Sequence, residues 1–146
     1  MNGLKELLSK HKNIIITTHV NPDGDAIGSS LALKIFLDKL GHEINVIVPN
    51  DYPEFLKWMK NSNSIINFSS SKDLSKKLIA DADIIFCLDF NNLSRINDLG
   101  DLISNSSSKK ILIDHHLDPE DFYDLKIHDV KASATAELIY DLLFEL

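Results

Sequence analysis

A single cysteine, Cys87, stands in a chain of 146 residues, so no internal disulfide is available to staple the fold. Its setting, Ile84-Ile85-Phe86-Cys87-Leu88, marks a small buried core residue rather than a reactive thiol, and no role is assigned to it. No apolar run approaches the ~20 residues that a membrane span requires. The first residues, Met1 to Glu6, also lack the apolar stretch of a secretory leader. A cytoplasmic chain is expected. Positive charge is in deficit: 15 Lys and Arg against 22 Asp and Glu leave a net charge of -7. Such a field repels long polyanions unless bound cations reverse it locally. There is no internal repeat, coiled coil or low-complexity tail. With 44% hydrophobic and 25% charged residues the composition is that of a folded domain rather than a disordered segment. The length suits one domain with a core of its own.

After an amphipathic opening helix at 4–11, Asn13-Ile14-Ile15-Ile16-Thr17-Thr18 is a β-branched run typical of strands buried on both faces. Pro22-Asp23-Gly24-Asp25 breaks that strand. Residues 26–40 predict a helix whose wide apolar face includes Ile27, Leu31, Ile35 and Leu40, closed by Gly41 at C′. A second strand at 43–48 completes a βαβ unit. A short helix at 53–60, a polar Asn/Ser-rich connection and a helix at 72–80 lead to a third strand at 83–88. A helix at 94–104, a serine loop, a fourth strand at 110–113 and an edge strand at 122–128 follow. The last helix, 133–146, carries Leu138, Ile139, Leu142, Leu143 and Leu146 on one stripe. Strands alternating with helices predict an α/β fold, a doubly wound, mostly parallel five-stranded sheet with helices on both faces. The final helix stops without the Gly, Asn or basic turn that usually finishes one, so the sequence reads as cut rather than completed. Docking of its apolar face on the sheet is the alternative.

In such a sheet ligands bind beyond the carboxyl ends of the strands, where loops and helix N-termini converge. Three predicted strands end in metal-type ligands. His19 follows the first, with Asp23 and Asp25 close behind. Asp89 ends the third, and Asp114, His115 and His116 end the fourth. Mixed carboxylates and imidazoles suit Mn²⁺ or a similar divalent cation, whereas carboxylates alone favour Mg²⁺ or Ca²⁺. Gly24 is read as permitting the tight turn that points Asp23 and Asp25 at two adjacent ions. Two ions about 3.5 to 4 Å apart can activate water and stabilise both oxygens of an in-line phosphoryl displacement. An Asp-Gly-Asp turn or a His-His pair alone is commonplace; the conjunction at several strand ends carries the inference.

These residues resemble a known pattern. Thr18-His19-Val20-Asn21-Pro22-Asp23-Gly24-Asp25-Ala26-Ile27-Gly28-Ser29, Asp89 and Asp114-His115-His116 closely resemble the first three motifs of the DHH phosphoesterases. Ser133-Ala134-Thr135-Ala136-Glu137-Leu138 is similar to the segment that follows in the branch of nanoRNases and 3′-phosphoadenosine-5′-phosphate (pAp) phosphatases. The resemblance implies one manganese held by His19, Asp23 and Asp89, and another by Asp25, Asp89 and His115, with Asp89 bridging. Mg²⁺ and Co²⁺ are the alternatives. It implies that Asp114 orients the histidines from behind and that His116 contacts the scissile phosphate or assists the leaving oxygen. Arg95 falls where this branch places a phosphate-contacting arginine, or is a surface residue at a helix start. Asn21 either positions substrate or simply forms the turn before Pro22. The family's further metal-binding aspartate has no equivalent before Leu146, since neither Asp129 nor Asp141 matches. The family's glycine-rich C-terminal substrate domain is also missing from these residues, so a truncated catalytic domain is expected, weak or inactive alone.

His11, His42 and His128 are expected at the surface, Lys72 to Lys77 on a solvated helix face, and Tyr52, Phe55 and Trp58 packed on the core rather than free to stack on bases. The expected substrates are short single-stranded oligonucleotides or small nucleotide phosphates such as pAp. Competing readings are a pyrophosphatase or exopolyphosphatase, and a non-catalytic metal- or nucleotide-binding module. Nothing in the sequence supports a homodimer.

Overall fold

The computed structural model describes residues 2 to 146. In chain order its elements are α1 (Asn2–Leu7), β1 (Asn13–Thr17), α2 (Gly24–Lys39), β2 (Glu43–Val48), β3 (Ile66–Asn67), α3 (Lys72–Ala80), β4 (Ile84–Leu88), α4 (Leu99–Asn105), β5 (Lys109–Asp114), β6 (Leu125–His128) and α5 (Thr135–Glu145). The strands form one sheet in the order β3-β2-β1-β4-β5-β6, every pair parallel. The α/β, doubly wound expectation holds, with six strands in place of five. The extra one, β3, lies in the polar connection and is two residues long. Pairing of Ile66 and Asn67 with Ile47 and Val48 makes it a strand, not any pattern of its own.

Alternation along each strand splits the core in two. Ile14, Ile16, Val46, Phe86, Leu88 and Ile111 meet Ile27, Leu31 and Leu37 of α2 and Leu138, Ile139 and Leu142 of α5. On the opposite face Ile15, Ile47, Ile85, Cys87 and Leu112 meet Ile79 of α3 and Leu99 and Ile103 of α4. All five residues of β4 are buried, as a parallel strand covered on both faces must be. Truncating the fully buried Phe86 to Ala would cost about 3–5 kcal/mol, a large part of the ~5–15 kcal/mol that holds a domain together. Burial pushes the Cys87 thiol up to about 12, so it stays protonated and inert.

Several elements depart from expectation. Helix α1 ends at Leu7. The helix expected at 53–60 is a single 3₁₀ turn, Glu54–Leu56, which leaves Phe55 73% and Trp58 81% exposed. Of the three aromatics, Tyr52 alone packs on the core, its hydroxyl donating to Ser62 O at 2.9 Å. The helix expected at 94–104 divides into a 3₁₀ turn, Leu93–Ile96, and α4, because Asn97 between them takes a left-handed φ of 50°. Gly100 is required there: a Cβ would lie 2.8 Å from the Leu93 carbonyl oxygen. Among the described residues no helix is long and apolar enough to cross a membrane.

Gly41 does close α2. With φ at 89° it donates to Asp38 O while His42 donates to Leu37 O, the paired bonds of a Schellman motif. That motif turns the residue after the glycine inward. His42 is consequently 7% exposed, not a surface residue, and neither ring nitrogen has a partner. Burial, aided by His11 and Lys12, lowers its pKa, so the folded chain keeps it neutral. A histidine whose folded pKa is depressed stabilises fully above the ordinary value near 6.5 and progressively less as pH falls below it. Urea titrations between about pH 7 and pH 5 should therefore show a loss of stability that is smaller in His42→Leu; parallel acid limbs for the two proteins would refute this.

Candidate metal centre

Strand order reverses between β1 and β4, so the chain leaves β1 toward one side of the sheet and β4 toward the other. A crevice opens at such a point beyond the carboxyl ends of the strands. His19 lies just past β1, Asp89 just past β4, and Asp114 closes neighbouring β5. The fold thus brings three sequence-distant segments to one edge.

Each of the three histidines there is gripped at Nδ1 by an acceptor. His19 Nδ1 donates to Val20 O at 2.7 Å, His115 Nδ1 to Ala132 O at 3.2 Å, and His116 Nδ1 to Asp114 Oδ1 at 2.7 Å. An oxygen of this kind can only accept, so the proton sits on Nδ1 and the neutral ring leaves Nε2 with a bare lone pair. This is the usual preparation of a metal-ligating histidine. Asp114, fully buried, also accepts from the His116 backbone N–H at 3.1 Å. It orients His116 alone; His115 takes its direction from the Ala132 carbonyl.

Asp89 is the hub. Its φ of 64° is left-handed, an unfavourable place for a side chain and one that clusters at functional sites. The residue is 3% exposed, with His19 Nε2 3.4 Å from Oδ2 and His115 Nε2 3.6 Å from Oδ1. His19 Nε2 also stands 3.9 Å from Asp23 Oδ1, and His115 Nε2 3.9 Å from Asp25 Oδ2. These separations are long for a good hydrogen bond; two ligand atoms each about 2.1 Å from a shared ion lie about 3.0 to 3.5 Å apart, a span that holds the His19–Asp89 pair and that the other three exceed by at most a few tenths of an ångström. Ligand atoms of His19, Asp23 and Asp89 all fall within 4.8 Å of one another, as do those of Asp89, His115 and His116. The donor set therefore fits divalent cations. Contact with the Asp89 carboxylate raises the pKa of His19 against the opposing effect of burial, so a proton and a cation compete for the same Nε2.

Asp23 has a second duty as N-cap of α2, accepting from Ala26 N at 3.0 Å. Gly24 does not supply the turn expected of it. It is the first helical residue, and the left-handed conformation sits instead at Asn21, φ 52°. Asn21 is braced by Asn50, its N–H donating to Asn50 Oδ1 at 2.7 Å and its Oδ1 accepting from Asn50 Nδ2 at 2.6 Å. Arg95 is exposed, and its carbonyl accepts from Val20 N at 2.8 Å, which ties it to the His19 loop. His128 is not remote from the cluster: its Nε2 bonds the His116 carbonyl at 2.6 Å.

Sequence reasoning missed Thr135, which is wholly buried. Its hydroxyl donates to Asp89 Oδ1 at 2.9 Å and its N–H to Asp25 Oδ2 at 2.9 Å, while Ala136 N–H reaches Asp25 Oδ1 at 2.8 Å. Behind them, Ser133 N–H and Oγ both donate to Glu137 Oε2 at 2.8 Å, which lowers the Glu137 pKa. A serine and a glutamate four residues apart at a helix start are close to a capping-box signature, and that was the available signal.

The chain is similar to several known proteins. Residues 13–145 match the family model described as DHH family, N-terminal domain. A crystal structure of an exopolyphosphatase-related protein from Bacteroides fragilis superposes with a TM-score of 0.97 at 45% identity, covering 99% of this chain and 42% of that one. The bifunctional oligoribonuclease and PAP phosphatase NrnA of Thermus thermophilus is 35% identical over 89% of this chain and 36% of its own length. The NrnA of Bacillus subtilis is 30% identical over 94% and 40%. The chain thus spans less than half the length of these relatives.

Tautomers offer a direct check on the cluster. In metal-free protein at about pH 9, above the ordinary histidine range, long-range proton–nitrogen NMR spectra should show His19, His115 and His116 all protonated at Nδ1. An Nε2–H form at any of the three would contradict the geometry at that residue.

Proposed function

The chain belongs to the DHH family, carrying its N-terminal domain, and from that premise we propose a metal-dependent phosphoesterase domain that hydrolyses short oligonucleotides or small nucleotide phosphates such as pAp. The observation that carries this reading is the trio of bare Nε2 atoms, two of them turned toward one buried carboxylate. His19, Asp23 and Asp89 would hold one divalent cation and Asp25, Asp89 and His115 another, Mn²⁺ being the ion that best suits mixed imidazole and carboxylate ligands. Bound there, the two ions supply Lewis acidity toward phosphoryl oxygens and acidify water.

The remaining residues act on substrate. His116, its side chain 43% exposed and held at Nδ1 by Asp114, is left with Nε2, which contacts the scissile phosphate or assists the leaving oxygen. Arg95 offers a guanidinium to substrate phosphate from the rim of the His19 loop. Asn21, locked to Asn50 through Oδ1, keeps an amide N–H₂ for the same task. The curated NrnA relatives support a nucleotide substrate; the name of the Bacteroides fragilis protein favours polyphosphate as the second reading.

Incubation of a short RNA, pAp and pyrophosphate with the full-length protein and Mn²⁺ separates the two. Mononucleotide or phosphate released from the first two, absent with chelator and absent in Asp89→Ala, is the expected result. Hydrolysis of pyrophosphate alone would favour the second reading, and full activity in Asp89→Ala would remove Asp89 from the site.

Metal also has a readout without turnover. Mn²⁺ at a hundredfold over its dissociation constant should add about 2.7 kcal/mol per independent site. By calorimetry that is a rise of roughly 5–10 °C in the unfolding midpoint; an unmoved midpoint would count against cation binding.

A further inference from the structure

The last helix of the chain is built into the metal centre at its first turn. Ala134, at the N-cap of α5, contributes no side-chain acceptor, and the first amides of the helix are satisfied from across the molecule by Asp25. Both oxygens of Asp25 are occupied in this way, Oδ1 also accepting from Ser29 Oγ at 3.2 Å. The Ser133–Glu137 clasp fixes the strand-to-helix bend that aims the Thr135 and Ala136 amides at that carboxylate. The Thr135 hydroxyl then takes Asp89 Oδ1, the oxygen that faces His115 Nε2. Because Asp89 sits in a left-handed conformation, its carboxylate keeps its direction only if neighbours hold it. Among the described residues Thr135 is the one whose side chain donates a hydrogen bond to it.

We propose that Thr135 is a positioning residue for the cation pair, setting the direction of Asp89 through its hydroxyl while the α5 N-terminus sets that of Asp25. The inference rests on the cation-binding reading above. Partners behind metal ligands typically govern ten- to a hundredfold in affinity, and that is the loss expected when the hydroxyl goes.

The test measures Mn²⁺ affinity by calorimetry and by the paramagnetic resonance signal of free ion, on the chain and four variants. Thr135→Val keeps the branched shape and the N–H but deletes the donor, and should bind Mn²⁺ ten- to a hundredfold more weakly. Thr135→Ser keeps the donor and loses a methyl, and should stay within about threefold of the parent. A packing role predicts the reverse order, so Ser weaker than Val would overturn the proposal. If Thr135→Val does not fold, Thr135→Ala against Thr135→Ser asks the same question, since both lack the methyl and differ only in the hydroxyl; equal affinities there would also overturn it. Asp89→Ala separates the two levels of inference. Loss of binding in Asp89→Ala with parental binding in Thr135→Val would defeat the Thr135 proposal alone, whereas parental binding in Asp89→Ala would defeat the cation-binding reading itself.

Discussion

A buried carboxylate needs partners, and the arrangement around Asp89 follows from that requirement. At 3% exposure its charge is removed from water at a cost of several kcal/mol unless hydrogen bonds and opposite charge offset it. Thr135 gives the hydrogen bond, His19 and His115 flank the two oxygens, and the raised pKa of His19 expresses the pull toward positive charge. The strand beneath is wholly apolar, and Asp89 follows it directly at its carboxyl end. The reversal of strand order beside β1 then brings His19 opposite.

The three histidines solve one problem in three ways. Each must present Nε2 and so must lose Nδ1 to an acceptor, but the acceptor is a neighbouring carbonyl for His19, a distant carbonyl for His115 and a carboxylate for His116. The distinction has chemical meaning. The two rings held by carbonyls set Nε2 beside the buried Asp89, whereas His116, held by the Asp114 carboxylate, has a side chain 43% exposed. His115 and His116, adjacent in sequence with ring centroids 4.6 Å apart, are in this respect unlike.

Much of this was legible in the sequence, for definite reasons. β-Branched runs declared β1, β2, β4 and β5, since strands buried on both faces need continuous hydrophobicity. The metal-type residues declared themselves by interrupting those runs at one end. What was illegible depended on partners far away in the chain. β3 exists by pairing with β2. His42 is buried by a cap geometry that places whatever follows Gly41 inside, and Asn97 divides a helix through its backbone conformation. Phe55 and Trp58 were expected inside because aromatic residues usually are, yet a single 3₁₀ turn is too short to turn both inward. Thr135 looked like part of a motif without chemistry because its two acceptors, Asp25 and Asp89, lie 110 and 46 residues earlier.

That separation bears on how the molecule is made. A chain emerging from the ribosome can close the contacts of β1, α2 and β2 early, since they are near neighbours in sequence. The carboxylates of Asp25 and Asp89 must then wait for α5, which follows all six strands in the chain, before the hydrogen bonds from Thr135 form. During that interval the acidic edge of the sheet is open to water and to any passing cation. Completion of the site therefore waits on the emergence of α5, and the nascent fold presents its carboxylates before it can hold them still.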